Sequence, residues 1–266
     1  VAELMEPIDA AKAEGLDITL EAYPYSVGSS YPVAYFPGYF NEGGTEEMLK
    51  TLSDKKKRIE LISRMGEDNY STPAGNVWSF IGLEKYKHFE GQQFEDVAEE
   101  WGLSVEEMMC RMMVETNFAC GMRGAPPANI AIWSQVEADV MELLSSPDYM
   151  IGSDSISAGG VPHPRGHGCF ARFVGRLRRR HNYPIEQIIQ RVTQNPAERF
   201  KLTDRGVLAE GKFADLVIFD SETINDRATF DDPIAYAEGV PHVIVNGKLV
   251  VENEAVTGVM AGHAIP

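Results

Sequence analysis

Residues 148–154 set the strongest constraint on how this chain can fold. Tyr149-Met150-Ile151 is a short apolar strand that runs through Gly152 and Ser153 into Asp154. A long loop rich in Gly, Pro and His follows, and then a helix predicted from Phe170 to Arg180, whose basic end suits the helix dipole. A strand that delivers a carboxylate to its C-terminal end before a loop and a helix is a βα unit. In barrel-type α/β proteins, that end of the strands is where sites are assembled. The start of the chain has the same texture. Leu4, Met5, Ile8 and Ala11 recur at helical spacing up to Gly15, and residues 16–20 alternate apolar with polar before Glu21-Ala22-Tyr23-Pro24-Tyr25. If the two strands are parallel neighbours, Tyr23, Tyr25, Ser29 and Ser30 leave from the mouth that carries Asp154.

These two steps frame a different region. Residues 31–128 are predicted as a mainly helical insertion: a packed aromatic loop over 31–39, a helical stretch from Thr45 to Met65, and helices over Phe94–Trp101 and Ser104–Thr116. The last carries Met108, Met109, Met112 and Met113, a stripe that reads as adaptable core. The α/β rhythm resumes over 129–204, with Ile130-Ala131-Ile132 expected as a strand and helices at 135–144 and 185–193. From 205 to 266 the pattern turns to short β-runs at 214–219, 243–245 and 249–251, a small β domain. Asn246-Gly247 between the last two is a strong hairpin signal.

Charge narrows the partners. Forty acidic residues against 24 basic give a formal net charge of −16, a surface that repels phosphate backbones and anionic lipid. No nucleic-acid or membrane partner is therefore expected. No apolar stretch approaches the roughly 18–20 residues of a membrane span, and the N-terminus has no signal pattern. Three cysteines, Cys110, Cys120 and Cys169, form no disulfide framework and read as reduced thiols of a cytoplasmic protein. Asn69-Tyr70-Ser71 matches a glycosylation acceptor by chance in such a chain.

Several residues have two readings. Asp154 is either a general base, or a carboxylate beside a metal, or else an N-cap for the following turn. Arg165 suits a bidentate clamp on a substrate carboxylate, while the acid-rich composition favours a surface salt bridge. His163, His167 and Cys169 lie in what reads as a loop and lack a fourth ligand, which argues against a local zinc site. Gly166-x-Gly168-x-x-Ala171 does not directly follow a strand, so it fails as a dinucleotide fingerprint. His88, His181, His242 and His263 have no partner spacing.

Taken in order, the motifs resemble a known family. They are Tyr23-Pro24-Tyr25, Glu42-Gly43-Gly44, Gly152-Ser153-Asp154, His163-Pro164-Arg165, Gly168-x-Phe170-x-Arg172 and Asn195-Pro196-Ala197. Asp204-Arg205-Gly206, Gly211-x-x-Ala214-Asp215-Leu216-Val217, Asp226-Arg227-Ala228-Thr229-Phe230 and Val245-Asn246-Gly247 continue the series. Together they resemble the C-terminal half of the N-acyl-D-amino-acid deacylases (D-aminoacylases) of the amidohydrolase superfamily. The resemblance implies an α/β fold, the C-terminal part of a (β/α)8 TIM-type barrel with a small β-sandwich domain. Residues 1–30 would supply barrel helix 6 and strand 7, 31–128 the insertion, 129–204 strand 8 with its flanking helices, and 205–266 part of the sandwich.

The resemblance also implies a chemistry: zinc-dependent hydrolysis of the amide bond of N-acyl-D-amino acids. In that family a zinc-bound water attacks the carbonyl. Asp154 takes the position of the aspartate that carries the proton to the leaving amine, and Tyr23, Ser29 and Arg165 take positions that hold the substrate carboxylate. The family's zinc ligands lie upstream of residue 1, so Asp154 alone of this chain stands beside the metal. The chain is expected to be little more than half of a functional unit, needing the missing N-terminal half or a homo-oligomeric partner for its unpaired strand edges. His167 and Cys169 depart from the family's usual aromatic and threonine. Two alternatives stay open: a cyclic amide or ureido hydrolase of dihydropyrimidinase type, and a non-catalytic fragment that assembles with a partner chain.

Overall fold

The computed structural model describes residues 1–66 and 73–265; the Asn69-Tyr70-Ser71 acceptor lies outside the described residues. Helix α1 (Ala2–Ala13) leads through Gly15 to strand β1 (Leu20–Ala22). Strand β2 (Ser29–Ser30) follows, then two short 3-10 turns, helices α2 (Gly44–Ser53) and α3 (Lys55–Ser63), and strand β3 (Asn76–Ile81). Helices α4 (Phe94–Trp101) and α5 (Val105–Glu115), strand β4 (Cys120–Gly124), helix α6 (Ile130–Leu143) and strand β5 (Tyr149–Ile151) come next.

β1 and β5 pair in parallel, Leu20 opposite Tyr149 and Ala22 opposite Ile151. The two strands therefore end together, and Tyr23 and Asp154 leave the same mouth. Helix α7 (Arg165–Arg172) begins there and runs on through a π-turn at Phe173–Leu177 into α8 (Arg178–Arg180). Val140 from α6, Leu144 just after it, Cys169, Phe173 and Leu177 from the α7 run, and Ile188 from α9 (Ile185–Val192) are buried against Tyr149 and Ile151. α10 (Gln194–Arg199) closes this part.

Two expectations are corrected. Ile130-Ala131-Ile132 opens helix α6, where the Asn129 side chain accepts the Ala131 N–H at 2.9 Å. An apolar triplet has no period of its own, so this N-cap decides the matter. In the insertion, the predicted helices are present, but they pack on a three-stranded antiparallel sheet of order β2-β4-β3. Cys120-Gly-Met-Arg-Gly lacks alternation and becomes a strand through its pairing with β3. Trp78 stacks on Phe94 at 4.2 Å, and all four methionines of α5 are fully buried beneath them.

The tail forms one four-stranded antiparallel sheet: β6 (Leu216–Ile218), β7 (His242–Val245), β8 (Lys248–Glu252) and β9 (Ala255–Val256). Asn246 and Gly247 both have positive φ, 49° and 76°, and join Val245 to its partner Lys248. That is the two-residue turn whose hand matches strand twist, and glycine removes the Cβ penalty at its second position.

A buried ion network ties these parts together. Arg172 on α7 binds Glu137 on α6 at 2.8 Å and Asp226 of the C-terminal segment at 3.4 Å. Glu137 also pairs with Arg180, and Asp226 with Arg176 at 3.2 Å. Burial pushes the Asp226 carboxyl above its usual range, opposed by the Arg172 charge. Removing one partner of such a network leaves desolvated charge behind, at about 3 kcal/mol. Arg172→Met is expected to lower the melting temperature by about 6–12 °C. Thermal unfolding followed by circular dichroism checks this, and an unchanged midpoint would contradict it.

Candidate active site

At the shared mouth of β1 and β5, four of the predicted residues converge. Arg165 is the first residue of α7, where the sequence predicts a loop running up to a helix at Phe170: Pro164 holds helical φ and ψ, and its carbonyl accepts the N–H groups of His167 and Gly168. A proline is well suited to a helix start, because the N–H it lacks has no partner there anyway. The Arg165 guanidinium is 1% exposed, so the surface salt bridge favoured by composition is not its environment. It lies over the Tyr23 ring at 4.4 Å. Its Nη2 donates to the Ser29 carbonyl at 3.2 Å and the Ser29 hydroxyl at 3.1 Å, and lies 2.9 Å from Asp154 Oδ2. Its Nε and Nη1 are buried without a hydrogen-bond partner among the described residues.

Asp154 is different in kind. Its side chain is 71% exposed, and its φ of 45° is in the left-handed region that aspartate tolerates better than most residues. Among the described residues no backbone N–H caps onto its carboxylate, so the capping alternative has no support. Tyr25, also from the β1 end, turns away from Arg165 toward Arg172 and Phe230, and burial pushes its phenol well above the usual range. The insertion holds the loop after Asp154. Glu90 accepts the N–H of Ile81 in β3 at 2.8 Å and that of Gly160 at 3.0 Å.

Sequence reasoning weighed His163 as a zinc ligand and missed its contacts with the Arg165 and Val27 backbones. Its Nε2 lies 3.0 Å from the Val27 carbonyl and its Nδ1 accepts the Arg165 N–H at 3.0 Å, between the rings of Tyr25 and Phe230. Burial and the Arg165 charge push its pKa down to about 3, against the Val27 hydrogen bond. The available signal was its place one proline before Arg165. Cys169 donates to the Gly152 carbonyl at 3.4 Å, and burial pushes its thiol up to about 12. All three cysteines are free and buried. His163, His167 and Cys169 do not converge. Among the described residues no three His, Cys, Asp or Glu side chains come together to hold a metal ion, so this set of residues does not form a metal centre by itself. No helix of the described residues is long and apolar enough to cross a membrane.

Comparison with known proteins gives this arrangement a context. A model of the amidohydrolase family matches residues 91–251. The chain is 30% identical over 244 residues to N-acyl-D-glutamate deacylase of Alcaligenes xylosoxydans xylosoxydans, covering 91% of this chain and 40% of that protein. It is 31% identical over 264 residues to D-aminoacylase of the same organism, covering 99% and 44%. Among solved structures, N-acyl-D-glutamate deacylase from Bordetella bronchiseptica, complexed with zinc and a phosphonate mimic of the tetrahedral intermediate, superposes with a TM-score of 0.67. That match has 25% identity and covers 94% of this chain and 43% of that one. A dihydroorotase from Lactobacillus acidophilus matches only 26% of the chain. The chain spans less than half the length of the curated deacylases it matches.

Proposed function

The chain belongs to the amidohydrolase family, and on that premise we propose that it supplies the carboxylate-binding and proton-handling side of an active site that hydrolyses N-acyl-D-amino acids. One observation carries this reading. Arg165 is a buried guanidinium with two unpartnered donors, stacked on Tyr23, backed by Ser29 and 2.9 Å from Asp154. Even beside Asp154, a buried guanidinium that leaves Nε and Nη1 open is costly, and a charge-assisted hydrogen bond from an open donor suits a substrate carboxylate. Hydrolysis of the amide adds water to the carbonyl carbon and breaks the C–N bond. Asp154 accepts the proton of the water and returns it to the departing nitrogen, while Arg165, Tyr23 and Ser29 hold the free carboxylate of the substrate.

The residues present do not complete a metal site, so any zinc would draw its ligands from elsewhere in the protein, with Asp154 at its side. β1 and β5 serve in this reading as the seventh and eighth strands of a barrel. Their outer edges have no strand partners among the described residues, as a barrel closed by further strands requires. The C-terminal sheet would be one layer of the family's β-sandwich.

A cyclic substrate of hydantoin type has no free carboxylate for Arg165 to hold, which places the linear amide first. The test is turnover by the intact protein of N-acetyl-D-amino acids, their L-enantiomers and hydantoins, with and without chelator. Chelator-sensitive hydrolysis of the D-enantiomers is expected. Hydantoin opening without N-acyl-D-amino-acid hydrolysis would reverse the reading.

A further inference from the structure

We propose that His163 is the positioning residue of the anion clamp: one neutral imidazole locks the helix that carries Arg165 to the loop that carries Ser29. This rests on the reading that Arg165 and Ser29 bind the substrate carboxylate. The hydrogen bonds define the proton's place. A carbonyl only accepts, so Nε2, 3.0 Å from the Val27 oxygen, carries the hydrogen. An amide N–H only donates, so Nδ1, 3.0 Å from the Arg165 nitrogen, is bare. Only the neutral Nε2–H tautomer satisfies both ends, and protonation would set N–H against N–H.

The ring cannot turn out of this arrangement cheaply. Tyr25 and Phe230 each meet it edge-to-face at 5.0 Å, and the residue is 2% exposed. The bridge spans 136 residues of sequence between Val27 and His163. Val27 stands two residues before Ser29, and the bonded N–H is that of Arg165 itself. The loop is drawn so close that a Cβ on Gly28 would lie 3.1 Å from the Tyr23 hydroxyl and 3.5 Å from Arg165 Nη1. His163 thus sets the distance between the two sides of the clamp without touching the carboxylate. A clamp misplaced by about 1 Å loses up to about a hundredfold in rate.

The experiment compares His163→Leu, His163→Asn and His163→Gln in the intact protein on two substrates: an N-acetyl-D-amino acid, and the N-acetyl amine that lacks its carboxylate. His163→Leu is expected to lower kcat/KM for the first about ten- to hundredfold, chiefly through KM, and to leave the second within about twofold. Asn, which keeps an acceptor toward Arg165, and Gln, which keeps a donor toward Val27, each restore part of the loss. A merely structural role would lower both substrates in parallel, and that result, or an unchanged KM, overturns the proposal. 15N spectra of the uniformly labelled protein give a readout independent of turnover. They are expected to show one protonated and one bare ring nitrogen on His163, with the Arg165 backbone amide, which donates to Nδ1, protected from exchange in wild type and unprotected in His163→Leu. A doubly protonated or Nδ1–H ring, or an Arg165 signal indifferent to the substitution, also overturns it. If wild type hydrolyses neither substrate, the deacylase reading fails, and the spectra still decide the role of His163.

Discussion

Arg165→Met is expected to lower kcat/KM for N-acyl-D-amino acids about 100- to 1,000-fold. A hydrogen bond between two charged groups contributes about 1.5–3 kcal/mol, and with the ion-pair attraction in a buried site the contact supplies about 3–4 kcal/mol. Removal of the guanidinium also leaves the Ser29 hydroxyl and carbonyl without their donor in the structure described. Arg165→Lys should recover less than a tenfold share of the loss. A lysine brings a point charge but neither the fork nor the flat face that lies over Tyr23 at 4.4 Å. Steady-state kinetics on the N-acyl amine without a carboxylate provide the contrast, since that substrate gains nothing from the clamp. An equal loss on both substrates would show that Arg165 holds the fold rather than the ligand.

Asp154→Asn is expected to lower kcat about 100- to 10,000-fold with KM little changed, the range over which a positioned acid–base group contributes. Asparagine is the informative replacement. It tolerates the left-handed backbone that residue 154 adopts at φ 45°, and it keeps an oxygen to face Arg165, so the change removes the proton acceptor and little else. Retained kcat would return Asp154 to the role of an exposed partner for Arg165 and take the proton-transfer step away from it.

Much of this was legible in the linear sequence wherever the signal was local. Asn246-Gly247 predicted a hairpin because only a few residues adopt positive φ at both turn positions, and that preference needs no tertiary help. The methionine stripe on α5 predicted a buried face through its helical period. The run from Tyr149 to Asp154 predicted a strand that ends in a carboxylate, and the strand is there. Local signals failed where pairing decided. Ile130–Ile132 was equally compatible with strand and helix until Asn129 capped it, and Cys120–Gly124 is a strand by virtue of its neighbours.

The candidate site divides along the same line. The residue types and their order, Tyr23, Ser29, Asp154 and Arg165, were readable, and so was the deacylase resemblance that they carry. The environment of each was not. Whether Arg165 is a surface ion or a buried guanidinium depends on the parallel pairing of β1 with β5, on a helix that begins at Arg165, and on contacts across 136 residues to Ser29. The same holds for His163 between Tyr25 and Phe230, and for Arg172 between Glu137 and Asp226. Sequence fixes which donors and charges a chain possesses. Desolvation and hydrogen-bond partners, which set what those charges do, arise only when distant segments are folded against one another.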